Sequence, residues 1–283
     1  MTSQHGTLSD PWNHPPTPYQ GPNLEEVTSP EAVDAVIEAL FPEGLPSPRG
    51  GEGRVSHVTA CWLSGEEGQE LRTLAINEHT PKSPWDAFVL SLCRARAGAI
   101  LTTGANLRAE PKLHHQALVG EPAAGALEAW RQREGLEGPP LSVVLTSGRD
   151  LDWQHPLFAG ETAIFTGRSG AELLGEAAEA RGVPVVAADE PGPREVVRWL
   201  RESGRGPVSI EAGPSTSQEL YREPSLVDEL ILSLFHGDEV PEPARGKALL
   251  KTEELANVFP LASSPRWVDE ASGRWSFRRL SRG

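Results

Sequence analysis

The stretch Ile210-Glu211-Ala212-Gly213-Pro214-Ser215-Thr216-Ser217 sets a carboxylate, a glycine and a run of hydroxyl residues at the end of a short apolar segment. That order suits phosphate binding. Glycine lets the backbone approach an anion, and a helix beginning near Pro214 offers unpaired N–H groups and partial positive charge. An ordinary strand-to-helix turn with a Ser or Thr cap explains the same residues, and spacing alone does not separate the two. The segment lacks the lysine of a Walker loop and is not GxGxxG. A second stretch, Ile100-Leu101-Thr102-Thr103-Gly104-Ala105-Asn106-Leu107-Arg108-Ala109-Glu110-Pro111, also runs from an apolar segment into small, turn-forming residues, then a single arginine and an acid. Ligands of open α/β sheets sit beyond the carboxyl ends of strands, so two such ends predict one shared cleft.

Other chemistry-bearing residues are less suggestive. His114-His115 are adjacent, and neighbours on a strand point to opposite sides, which argues against a joint metal site. Ser147, His155 and Asp152 assemble a hydrolytic triad only on paper, because no G-x-S-x-G elbow exposes a nucleophile. Glu66-Glu67 and Glu253-Glu254 read as solvated faces. Cys61 and Cys93 are isolated among apolar residues and read as buried, reduced thiols; no cysteine pair has metal-ligand spacing.

The elements that must hold the two stretches follow from the hydrophobic pattern. Residues 1–29 are rich in Pro, Ser, Thr and Asn without a period, and read as a flexible or loosely docked arm. Ser29-Pro30-Glu31 opens a helix with Val33, Val36, Ile37 and Leu40 on one face, stopped at Pro42; residues 43–53 form a Pro/Gly linker. From Arg54 the chain alternates. Strands are expected at 55–63, 99–101, 141–145, 162–165, 183–186 and 208–210, with helices from Ser83-Pro84 and over 171–181 and 193–203. The tail offers strand-like segments at Leu226–Phe235 and Ala256–Ala262, and Trp275-Ser276-Phe277 alternates like an edge strand. The sum is an α/β domain over 54–283, with a mostly parallel central sheet, helices on both faces and antiparallel C-terminal strands, preceded by an arm at 1–53.

The formal charge of −14 over 283 residues argues against a nucleic-acid binder but not against an anionic small ligand held locally. No apolar run approaches the length needed to cross a bilayer, and Met1-Thr2-Ser3-Gln4-His5 is neither basic nor apolar. These features lead us to expect a cytoplasmic protein with a small-molecule substrate.

With both stretches in view, the chain over roughly 54–280 resembles the C-terminal reductase domain of the riboflavin-pathway bifunctional deaminase–reductases. That family carries A-I-L-V-G-x-G-T-V-R-x-D-x-P where this chain has Ala99 to Pro111, and E-G-G-P-x-L where it has Glu211 to Thr216. The family's L-V-D-E-L appears as Leu226-Val227-Asp228-Glu229-Leu230; Leu141 to Gly148 and His155-Pro156-Leu157-Phe158 also match. The resemblance implies a dihydrofolate-reductase-like fold and NADPH as cofactor. The implied substrate is a pyrimidine or related heterocycle such as 5-amino-6-(5-phosphoribosylamino)uracil. It implies cofactor contacts at Asn106, Glu110, Gly213, Pro214, Ser215, Thr216 and Ser217, and substrate contacts at Glu211, Leu113 and Arg108. It names no catalytic residue and no metal, and implies a homodimer. The chain departs from the family on the ligand side. The S-L-D-G expected after the first strand reads Trp62-Leu63-Ser64-Gly65 without an Asp, and Ala212 replaces a glycine. A family member that keeps the fold as a ligand-binding or scaffolding protein is the alternative. No zinc deaminase signature is present.

Overall fold

The computed structural model describes residues 17–51, 53–65, 70–116, 120, 122–149, 151–237 and 239–283. Their elements run β1 (Thr17–Pro18), α1 (Pro30–Leu40), β2 (Val55–Ser64), β3 (Glu70–Leu74), α2 (Pro84–Ala95), β4 (Ala99–Thr103), α3 (Gly104–Ala109) and α4 (Ala123–Arg133). There follow β5 (Leu141–Leu145), β6 (Thr162–Gly167), α5 (Arg168–Glu179), β7 (Val185–Ala188), α6 (Pro193–Glu202), β8 (Val208–Ile210) and α7 (Pro214–Tyr221). The C-terminal part contributes β9 (Glu229–Phe235), β10 (Arg245–Lys251), α8 (Thr252–Val258), β11 (Leu261–Ala262), β12 (Arg266–Glu270) and β13 (Gly273–Ser281).

These strands form a single sheet in the order β1-β12-β13-β9-β2-β8-β4-β5-β6-β7. The run from β9 to β7 is parallel, whereas β13 pairs antiparallel with β9, β12 and β11, and β3 pairs antiparallel with β2 and β10. The two-residue period of a strand divides the core between the faces. Along β9, Leu230, Leu232 and Leu234 join α6, α7 and α8 on one face; Ile231 and Phe235 join α1, α2 and α4 on the other. Each such fully buried side chain contributes about 1.5–3 kcal/mol. Each face also holds one free thiol, Cys61 on the first and Cys93 on the second, and burial pushes both up to about 12.

The expected architecture is therefore present, with local differences. Residues 99–103 stay a strand, but the small residues after them form the short helix α3, because the Thr103 hydroxyl accepts from Asn106 N–H at 3.2 Å and caps it. Ala256–Ala262 is not a strand. Its first residues complete α8, where Leu255 and Phe259 are four apart on one buried face and Glu254 accepts from the Lys251 N–H at 2.7 Å; only Leu261 and Ala262 pair as a strand. Trp275-Ser276-Phe277 is not at an edge. It lies in the nine-residue β13, which β9 and β12 flank on either side, and Trp275, Ser276 and Phe277 are all buried. From residue 17 onward the N-terminal region is docked: Thr17 and Pro18 pair with β12, and Val33, Val36, Ile37 and Leu40 are buried in the same core as α2 and α4. Glu66-Glu67 and the first residues of the arm lie outside the described residues.

Candidate functional site

The helix α2 begins by the same rules that start α1. Ser83 caps it by accepting from the Asp86 N–H at 2.9 Å, and Pro84 takes the first position. Asp86, Leu90 and Arg94 follow four residues apart and so share a face, and all three line a cleft of about 450 Å³. The opposite walls come from β2, β3, α3 and the turn after β8. Asn106, Glu110, Leu113, Glu211, Gly213 and Pro214 belong to the lining, so the two stretches singled out in the sequence do meet in one cavity.

Asn106 joins them directly. Its Nδ2 donates to the Glu211 carbonyl at 2.7 Å and to the Thr102 hydroxyl at 3.4 Å. The Glu211 side chain is held from the other direction by Arg94, whose Nε and Nη2 reach the two carboxylate oxygens at 2.8 and 2.6 Å. Arg94 is fixed in turn by donating from Nη1 to the carbonyls of His114 and Gln116. Burial works against the Glu211 carboxylate, but the facing guanidinium overrides it and holds the carboxyl below its usual range. Two other carboxyls of the cleft shift the opposite way. Burial raises Asp86 to about 6, against the Ser233 hydroxyl and with help from the Glu270 charge. Burial also raises Glu110, against Arg94 and with the Glu211 charge adding to the rise.

At the mouth, Gly213 precedes α7. Its φ is −63°, and a Cβ built on it meets no atom within 4 Å, so neither backbone strain nor packing asks for glycine there. The missing side chain leaves open space in front of a helix N-terminus. Lys247 of β10 stands beside it, with Nζ donating to the Ser215 hydroxyl at 2.9 Å. Open space, helix end and cation together fit a phosphate group.

The remaining expected residues divide. Ser215 and Thr216 lie in the first turn of α7, Ser215 exposed and Thr216 half-buried. Ser217 is fully buried with its hydroxyl turned back to the Gly213 carbonyl at 3.3 Å, an interior helix contact. Arg108 is exposed and does not line the cleft. His114 and His115 lie outside any helix or strand, and no cluster of metal-ligating side chains occurs among the described residues. His155 accepts from the Leu157 N–H through Nδ1 and contacts the Glu110 carbonyl through Nε2, so it is not oriented for a triad. Sequence reasoning missed Asp86, Arg94 and Lys247. The four-residue spacing on α2 was a usable signal for the first two, but nothing local announced Lys247, which reaches α7 from a strand 32 residues away.

No protein-family model and no curated protein sequence matches the chain. Among solved structures it is similar to a pyrimidine reductase-like protein from Corynebacterium diphtheriae, with a TM-score of 0.59 and 19% identity, covering 89% of this chain and 98% of that one. It is also similar to RibD of Acinetobacter baumannii, with TM-scores of 0.53 and 0.54 in two forms and identities of 15% and 16%. There it covers 81% of this chain and spans 58% and 57% of those chains. What is shared at such identities is the fold, the mostly parallel sheet with helices on both faces and antiparallel C-terminal strands that was expected from the sequence.

Proposed function

We propose that the protein is an NADPH-dependent reductase of a pyrimidine or related heterocycle, of the kind found among riboflavin precursors. The observation that carries this reading is one cleft that runs from Gly213, ahead of α7, to Asp86, Glu110 and the Glu211–Arg94 pair, with Lys247 donating to Ser215 in the first turn of that helix. The likeness to a pyrimidine reductase-like protein and to RibD supports it.

The cofactor, when bound, supplies a hydride; the protein's part is binding, orientation and proton supply. Gly213, the Ser215 N–H and Lys247 would hold its phosphates. Asn106 fixes the distance between the α3 and β8 walls, so a planar ring lying between them meets a set geometry. Reducing a C=N or C=C bond consumes a proton with the hydride. Asp86, shifted to about 6, keeps a protonated fraction near neutrality and is the carboxyl placed to give that proton. Glu211, held ionised by Arg94, accepts no proton in that range and acts as a fixed wall.

Titration with NADPH tests the reading through quenching or shift of cofactor fluorescence. Saturable binding that weakens in Gly213→Val is the expected result, since the branched side chain fills the opening. Absence of any binding to NADPH or NADH overturns it. One observation favours a second reading, a ligand-binding protein without turnover. Arg94 engages both Glu211 oxygens, leaving that carboxylate no free fork for a substrate. NADPH binding with no reduction of any pyrimidine tested would support that alternative.

A further inference from the structure

A second cavity, of about 460 Å³, lies between α2 and α4, and Arg94 belongs to its wall as well as to that of the cleft. We propose that it is a binding site for a small organic anion with an apolar body, distinct from the cleft.

Two polar groups in it are unfinished. His115 is 7% exposed; its Nδ1 is engaged with the Ser142 hydroxyl at 2.8 Å, while its Nε2 is buried with no hydrogen-bond partner. A buried polar nitrogen left unpaired costs about 1–3 kcal/mol, so a ligand that supplies a partner recovers that cost. Glu211 Oε2 is 4.0 Å away, beyond hydrogen-bond reach, and is already held by Arg94. Arg131 is also 7% exposed. It donates from Nε to the Gly138 carbonyl and from Nη1 to the carbonyls of Arg94, Ala95 and Ala97, and Nη2 has no hydrogen bond among the described residues. No carboxylate lies within 4 Å of it among the described residues. Burial lowers it to about 10, so it stays charged at neutral pH. A buried cation whose hydrogen bonds among the described residues all go to carbonyls favours an anion.

The rest of the wall is mixed: Ala124, Leu127 and Leu136 are apolar, Ser91 and Gln132 are polar, and Glu128 adds an exposed carboxylate; the volume suits a ring of drug-like size. The cavity thus supplies an anion contact at Arg131, an unpartnered imidazole nitrogen on His115 in its wall, and an apolar part at Ala124, Leu127 and Leu136.

Calorimetric titration of the full chain with naphthalene-1-sulfonate, and with the neutral 1-naphthalenemethanol, tests the site. The sulfonate is expected to saturate one site and to bind about tenfold or more tightly than the alcohol. Ala124→Trp and Leu136→Trp fill the cavity from two walls, and each is expected to weaken the sulfonate by about tenfold or more. Circular dichroism confirms that each is folded, and both positions are partly exposed, so the failure of one leaves the other. Ala105→Trp, which fills the cleft instead, is expected to leave sulfonate binding intact. No saturable binding, equal affinity for the neutral probe, insensitivity to both fillings, or loss in Ala105→Trp would each overturn the proposal.

Discussion

Two buried carboxylate–arginine clusters hang from the end of α2, and they have opposite surroundings. Arg96 reaches Glu229, the first residue of β9, whose oxygens accept from Ser56 at 2.6 Å, Arg96 at 3.0 Å and Arg279 at 2.7 Å. The void beside that cluster holds about 10 Å³, at or below what one water needs. Arg94, two residues earlier, reaches Glu211 just past β8, and that pair stands between cavities of about 450 and 460 Å³. The chemistry of the pairs is the same; the room around them differs. At β9 the carboxylate is spent on joining strands, whereas after β8 it lines a cleft and its arginine borders a second cavity as well. An ion pair by itself therefore says little about function, and the unfilled volume next to it says more.

The sharpest way to break that contrast is to neutralise each acid. Glu229→Gln leaves two arginines facing a neutral amide in a closed interior, and is expected to cost about 3–5 kcal/mol in urea unfolding. Acid titration gives the same answer independently. Burial opposes the Glu229 charge, but Arg96 and its neighbours override that and hold the carboxyl at about 2. Its contribution is thus present above the ordinary carboxylate value and lost as pH falls toward 2; the Gln variant should lack that part of the acid transition. Glu211→Gln is expected to cost less, about 1–3 kcal/mol, because water in the adjoining cavities solvates the released Arg94. It should nevertheless abolish ligand binding in the cleft. Equal stability losses for the two variants would erase the distinction drawn here.

Smaller effects sharpen it. In the proposed reductase, kcat/KM should decline as pH rises through about 6, the value to which burial lifts Asp86, since the proton donor is lost there. Asp86→Asn should remove that decline along with most of the rate, measured as NADPH oxidation. Lys247→Ala should weaken NADPH by about tenfold and reduce the salt dependence of its binding, with no change in urea midpoint, because Lys247 is exposed. A shifted midpoint would make Lys247 a structural residue.

The layers of the fold were legible where one face of an element is apolar. The caps Ser29-Pro30 and Ser83-Pro84 and the buried run at 141–145 lie where the pattern put them, and the strand expected at 99–101 runs two residues further, to Thr103. The tail was harder. Leu255, Val258 and Phe259 carry helical spacing inside a segment short enough to pass for a strand, and three alternating residues could not show that β13 continues to Ser281. Of the cleft lining, Asn106, Glu110, Glu211 and Gly213 could be picked out because they lie in the two stretches that leave β4 and β8. Ser217 misled, since a hydroxyl in a first turn looks the same whether it faces a ligand or its own helix. Arg94 shares a helical face with Asp86, but its bidentate partner lies 117 residues away and no local pattern announces it.

The two thiols give the layered core a pair of internal clocks. Cys61 belongs to the face covered by α6, α7 and α8, and Cys93 to the face covered by α1, α2 and α4. Neither reacts as a thiolate while buried, so each is alkylated only when its own layer opens. Site-resolved labelling rates then tell, without denaturant, whether the sheet sheds its two coats of helices together or one before the other.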